Sequence, residues 1–185
     1  NYSTLEDTLA MARAEYDFLP GWTAYLSAGA HHDNEHGQYE SPGFASPTVT
    51  SAYRLGVPYK ADGLAGEAGL RGAFATGWLT HRLSAGVSIS HLNTYSAYDM
   101  SGTFPTSLYD TVQVPQPATA FSGGNLSDPG LVSTTLMRSA AVADTLGVLG
   151  DRILFTLGAR YQKLHVADYD YTGAATSIYD QSATT

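Results

Sequence analysis

The chain contains no cysteine, which excludes a disulfide framework, a thiolate metal site and a cysteine nucleophile. Lysine and arginine number 9 against 17 aspartate and glutamate, a formal charge of -8. A nucleic-acid surface needs concentrated positive charge to displace phosphate counterions, so no nucleic-acid partner is expected. No apolar run reaches the roughly 18 residues that a spanning helix needs, which leaves a soluble fold or a membrane β-barrel. The start, Asn1-Tyr2-Ser3-Thr4, carries neither an initiator methionine nor a basic-then-apolar leader; a processed or internal piece is expected. The sequence has no Gly-x-Ser-x-Gly elbow, no His-Glu-x-x-His and no phosphate-binding glycine loop. No enzymatic activity and no cofactor are expected on that ground.

The 185 residues are rich in glycine (19) and tyrosine (13), with only 14% charged side chains. That balance favours turns and aromatic surfaces over solvated helices. Six segments alternate with period two, the spacing that sends successive side chains to opposite faces of a strand. Ala12, Ala14, Tyr16 and Phe18 oppose Arg13, Glu15 and Asp17; Trp22, Ala24, Leu26, Ala28 and Ala30 oppose Thr23, Tyr25, Ser27 and Gly29. The third runs from Glu67 to Gly77, with Leu70 and Phe74 on its apolar face. A fourth follows it with Leu79, His81, Leu83, Ala85, Val87 and Ile89 on one side. The fifth, about Thr134 to Leu146, is the least regular, and the sixth sets Ile153, Phe155, Leu157, Ala159 and Tyr161 against Thr156, Gly158, Arg160 and Gln162. Tight turns at Pro20-Gly21, Gly77-Trp78 and Gly147-Gly150 pair these as three hairpins. About residues 34–66 and 93–133 read as long loops.

The expected class is therefore all-β, built of antiparallel hairpins. Short turns on one side and long loops on the other suit an outer-membrane barrel, whose periplasmic turns are short and extracellular loops long. In that reading the apolar row meets lipid, and Arg13, Glu15, Arg71, Arg82 and Arg160 face a wet interior. His81 falls on the apolar row, near enough to the turn at Trp78 to sit in the interfacial belt. A soluble β-sandwich or barrel shows the same alternation, and the pattern alone leaves both open.

The run Glu67-Ala-Gly-Leu-Arg-Gly-Ala-Phe-Ala-Thr-Gly-Trp-Leu-Thr-His-Arg-Leu83 resembles a barrel segment of the TonB-dependent siderophore receptors, with its Gly-x-Arg-Gly-x-Phe-x-Thr-Gly stretch followed by histidine. The run Ala143 to Tyr161 is similar again, and so is the opening Glu15-Tyr16-Asp17, short turn, Trp22-Thr23-Ala24-Tyr25. The resemblance implies that residues 1–185 form part of a 22-stranded transmembrane barrel, with the plug domain outside the sequence and a further strand expected beyond Thr185. It also implies import of a ferric siderophore across the outer membrane of a Gram-negative bacterium, energised by the TonB-ExbB-ExbD complex through an N-terminal region absent here. The alternatives are haem or another cargo, or a soluble carbohydrate-binding β domain.

In the resembled family the extracellular loops and upper wall line the chelate pocket, often with aromatic rings. That singles out Tyr39, Tyr53, Tyr59, Tyr95, Tyr98 and Tyr109 as ligand-binding candidates, since tyrosine offers a large contact area and a hydroxyl at small entropic cost. Tyr95, Tyr98 and Tyr109 share the longer loop. The cluster His31-His32-Asp33-Asn34-Glu35-His36 is placed at the end of the second strand, and strand alternation spreads it over two faces. A solvated strand end is favoured over a metal site, which would need three or four converging ligands. Asp168 and Asp170 read as carboxylates on one strand face, too few for calcium. No metal site is expected. The interior arginines are expected to pair with Glu15, Asp17 and Glu67.

Overall fold

The computed structural model describes residues 2–46, 49–107, 109 and 115–185. They form a single antiparallel sheet in which β1 (Tyr2–Leu19), β2 (Trp22–Ser46), β3 (Val49–Thr76), β4 (Leu79–Ser96), β8 (Gly130–Val148), β9 (Ile153–Tyr169) and β10 (Ala175–Thr184) lie side by side in that order. Three short strands lie beside the main path: β5 (Tyr98–Ser101) and β6 (Phe104–Thr106) pair with β3, and β7 (Thr119–Gly123) pairs with β5.

The three tight hairpins form as expected, closing Leu19 to Trp22, Thr76 to Leu79 and Val148 to Ile153 at the same end of the sheet. Gly21 and Gly77 have positive φ, the left-handed geometry that such short connections demand. The third turn takes Leu149, Gly150 and Asp151 through positive φ in succession.

Two expectations about the rest change. The stretch around 34–66 is not a loop: β2 and β3 pair from Trp22–Gly72 through His36–Pro58 to Phe44–Thr50 as one tall ribbon. Its outer reaches mix polar, glycine and aromatic residues on both faces, so no amphipathic alternation advertises the strands, while the backbone ladder still satisfies every pair. Within 93–133, β4 runs on to Ser96 and the short strands add further pairing. The main path also has seven long strands where six were expected. β1 reaches back to Tyr2, and β10 fills the tail between the sixth expected strand and the one expected beyond Thr185.

Directly opposed residues share a face, and the register assembles one continuous apolar wall. Tyr16–Ala24–Leu70–Ala85–Val142–Ala159 forms one row, and Leu26–Ala68–Val87–Ala140–Tyr161 lies above it. Tyr16, Leu26, Val87, Phe155 and Leu157 are exposed; Trp22 and Leu83 are only half-buried. Trp22 is covered because its ring lies over Gly72, where a β-carbon would overlap it, and stacks on Phe74 at 6.0 Å.

Among the described residues the buried apolar set is Ala52, Ala61, Ala97 and Ala167, and no large side chain is fully enclosed. A soluble sandwich needs a packed core between two layers, and a single sheet exposing this much contiguous apolar surface does not supply one. A lipid-facing wall requires no such core. The edges at β1 and β10 leave backbone groups that only neighbouring strands can satisfy within lipid.

Candidate functional site

On the opposite, polar face Arg13 and Arg71 pair with two of the carboxylates the sequence suggests, and Arg82 and Arg160 find other partners. Arg13 lies 2.8 Å from Glu15 and 3.0 Å from Glu67, and Arg71 also contacts Glu15. Arg13 further stacks on the Tyr25 ring at 5.1 Å, and that ring spreads across Gly69 and Gly86, the next residues in its row. Arg82 pairs with Asp151 and Arg160 with the Ser139 hydroxyl, whereas Asp17 accepts from Thr23 instead of an arginine. Exposed pairs of this kind add little individually; Glu15, shared by Arg13 and Arg71, and Glu67, shared by Arg13 and the Ser27 hydroxyl, link β1, β2 and β3 into one network.

Higher on the same face Tyr39, Tyr53 and Tyr59 share one stripe of the ribbon. Tyr59 stands opposite Glu35, and the Tyr39 hydroxyl donates to Glu35 and lies 3.2 Å from the Ser3 hydroxyl. All three rings are half-buried. The other three candidates do not join them. Tyr95 stands opposite Lys60, on the reverse face. Tyr98 packs edge-on against Tyr171 at 5.1 Å, over Gly123. Tyr109 is 90% exposed. Three of the six thus converge, and the cluster expected in the longer loop divides among three places.

The histidine cluster lies in the middle of β2, not at a strand end, because the ribbon continues for another ten or so residues at strand spacing. His31 meets Asp7 at 3.0 Å on the interior face, and His32 meets Asp62 at 2.7 Å on the other. Among the described residues no three potential ligands gather around one point. Asp168 and Asp170 also separate. Asp168 belongs to β9 and accepts from Ser133, while Asp170 lies in the turn and accepts from the backbone N–H groups of Thr172 and Ala174 and from the Thr172 hydroxyl. Those bonds, the Thr172 hydroxyl's first, hold the Asp170 carboxyl below its usual range.

One polar centre in this region gave no sequence signal. Arg54 on β3 is buried against Asp99 on β5 at 2.6 Å, and it also donates to the Thr119 hydroxyl and the Pro117 carbonyl. Thr119 donates in turn to Asp99. The Arg54 hydrogen bond is the main reason that the Asp99 carboxyl sits below the ordinary carboxylate range; burial opposes it and Thr119 adds to it. The pair straps residues 115–119 across the ribbon, beside an open cleft of about 340 Å³ lined by His36, Gln38, Pro58 and Leu126. Its partners lie 45 and 65 positions away in sequence, so no local spacing could have disclosed it.

No family model matches the chain. The ferrichrome receptor FcuA of Yersinia enterocolitica is 36% identical over 170 residues, 91% of this chain and 22% of that protein. The chain therefore spans about a fifth of the length of this curated relative. Among solved structures, the ferric preacinetobactin receptor BauA of Acinetobacter baumannii superposes with a TM-score of 0.73 at 23% identity, over 99% of this chain and 27% of its own. The siderophore receptor PiuA of the same organism gives 0.73 at 16%, over 99% and 29%. The ferric-catecholate import receptor Fiu of Escherichia coli K12 gives 0.63 at 15%, over 98% and 32%. At those identities the structural likenesses speak to the fold, and the sequence match to FcuA joins them to kinship. The open sheet, its apolar outer wall and these relatives agree: the chain is homologous to a stretch of the β-barrel wall of the TonB-dependent siderophore receptors of the Gram-negative outer membrane.

Proposed function

We propose that residues 1–185 are one part of the barrel domain of a receptor that imports a ferric siderophore across the outer membrane, driven by the TonB-ExbB-ExbD complex. The observation that carries this reading is the 36% identity to a ferrichrome receptor over nearly the whole chain, on a sheet whose polar face rises into an aromatic ribbon. By that kinship a ferric chelate of the ferrichrome kind is the first cargo to try. Tyr39, Tyr53 and Tyr59 are its proposed contacts from this segment, because they share one face with the polar interior. Tyr95, Tyr98 and Tyr109 serve as secondary candidates.

The test is uptake of radiolabelled ferric siderophores by a receptor-deficient Gram-negative strain carrying the full-length gene, with and without functional TonB. Saturable, TonB-dependent accumulation is expected. Growth that requires the gene for haem or a sugar, and not for chelated iron, would overturn the cargo assignment.

A further inference from the structure

The interior face changes sign with height. Its arginines, Arg13, Arg71, Arg82 and Arg160, lie in the Arg13–Ser27–Glu67–Ser88–Ser139 row or nearer the short turns. Above that row the strand cations Arg54, Lys60, Arg138 and Lys163 all take outward positions, and Arg152 belongs to the third tight turn. The carboxylates do not follow them outward. Three rows above Arg13 the register sets Asp7–Asp33–Ala61–Thr94–Ser133–Asp168 side by side on the interior face, and Glu35 stands in the next row, opposite Tyr59.

Among the described residues none of these four carboxylates meets a lysine or arginine. Asp7 meets His31 at 3.0 Å, Glu35 accepts from the Ser3 and Tyr39 hydroxyls, and Asp168 accepts from the Ser133 hydroxyl. One Asp33 oxygen is buried without a hydrogen-bond partner. The interior arginines are too far below to neutralise the group. Arg13 to Asp7 is six residues along β1, about 20 Å at strand spacing, which is roughly two Debye lengths at physiological salt. The wall that carries Tyr39, Tyr53 and Tyr59 therefore has a net negative field, and a cleft with low-dielectric walls concentrates such a field on whatever enters it.

We infer that Asp33 and Glu35, backed by Asp7 and Asp168, make the tyrosine site selective for charge: it takes a ferric chelate bearing a free ammonium group in preference to a neutral one, and disfavours an anionic one. The inference rests on the reading of the tyrosine stripe as a chelate contact and adds to it the charge class of the cargo.

The test uses the full-length receptor extracted in detergent, its folded state checked by heat-modifiable migration on gels. The probe is one linear ferric trihydroxamate with a terminal amine, offered as the free amine, N-acetylated to a neutral form and N-succinylated to an anion. Equilibrium titration at low salt should give a dissociation constant that rises about tenfold from the amine to the acetyl form and about tenfold again to the succinyl form. High salt should compress that spread. Asp33→Asn combined with Glu35→Gln should reduce each step to about threefold or less. Asp62→Asn, which removes a carboxylate from the outward face at the same height, should leave the wild-type spread. Glu35→Gln alone, which keeps an oxygen for the Tyr39 hydroxyl, replaces the double variant if that misfolds and should narrow the spread by about twofold. Equal affinities across the series, tighter binding of the succinyl form, or an unchanged spread in the Asp33 and Glu35 variants would each overturn the inference. If ferrichrome binds saturably while the series is unordered or unbound, charge selection alone fails; if neither ferrichrome nor any member of the series binds, the import reading itself fails.

Discussion

His81 Nδ1 lies 2.7 Å from Asp144 Oδ2 on the outward, apolar side of the sheet, and the His81 ring stacks face to face on Phe74 at 4.5 Å. Its Nε2 is 2.6 Å from the Thr76 hydroxyl, so both ring nitrogens are engaged. Asp144 explains why β8 was the least regular strand in sequence, since its carboxylate occupies an outward position. One of its oxygens is buried without a partner among the described residues. Removing His81 alone should therefore cost more than removing both groups. We expect His81→Ala to destabilise the full receptor by about 1–3 kcal/mol, through an orphaned carboxylate, and the double change His81→Leu with Asp144→Leu to lie near neutral. Urea unfolding of the folded barrel in detergent or lipid, followed by tryptophan fluorescence, measures both.

The aromatic stripe makes a prediction about affinity. Tyr59→Ala or Tyr39→Ala should weaken ferric siderophore binding by roughly 5- to 150-fold, the range for losing a contacting ring worth about 1–3 kcal/mol. Trp22→Leu, on the lipid-facing wall near the turn, should leave the dissociation constant unchanged and act on stability alone. Equilibrium titration of the extracted receptor distinguishes the two; equal losses from both sets would remove these tyrosines from the site.

The strap over the ribbon should be sensitive to charge and insensitive to ordinary pH. Asp99→Asn leaves Arg54 buried opposite a neutral partner, and hydrogen exchange of residues 115–123 should accelerate by at least tenfold while the wall strands keep their protection. With its pKa depressed, Asp99 contributes stability above the unfolded carboxylate range. That contribution is lost only as pH falls through the lower folded value. Exchange in 115–123 should therefore be flat from neutral pH down through the usual carboxylate range near 3.9, after the intrinsic rate is corrected, and rise only below it.

The β9–β10 turn depends on Asp170, which accepts from two backbone N–H groups and one hydroxyl. Asp170→Ala should destabilise that hairpin, and Asp170→Asn should do so less, because the amide oxygen keeps an acceptor. Protease sensitivity at 170–174 is the local readout.

What the sequence disclosed follows from where chemistry is one-sided. Across the lipid band each strand has an apolar and a polar face, so Leu26, Val87 and Leu157 could be placed by counting alone. The turns showed equally well, since a glycine with positive φ at Gly21 or Gly77 has few substitutes. Above the band both faces meet water or other loops, the alternation fades, and strand residues such as His32, Pro58 and Lys60 look like loop. Tyr95 and Tyr98, three positions apart, look like neighbours in sequence, whereas pairing to β3 turns one ring away and Tyr171 engages the other. Arg54 and Asp99 had no visible relationship until β5 laid them together.

The β2–β3 ladder runs without a break from Trp22 at the short-turn rim to Phe44, about 75 Å at strand spacing. A beam of that kind has no joint along its length. It can lean or bow as a whole, but its tip cannot swing independently of its foot. Register shifts fall in other ladders, among them β4–β8 between Thr94 and Tyr95 and β5–β7 between Met100 and Ser101, and β5 itself holds to β3 only at Leu55 and Gly56. Mechanically this sets a standing post beside a lightly held branch, β5 with β7, and displacing that branch would leave the post and the wall strands in register.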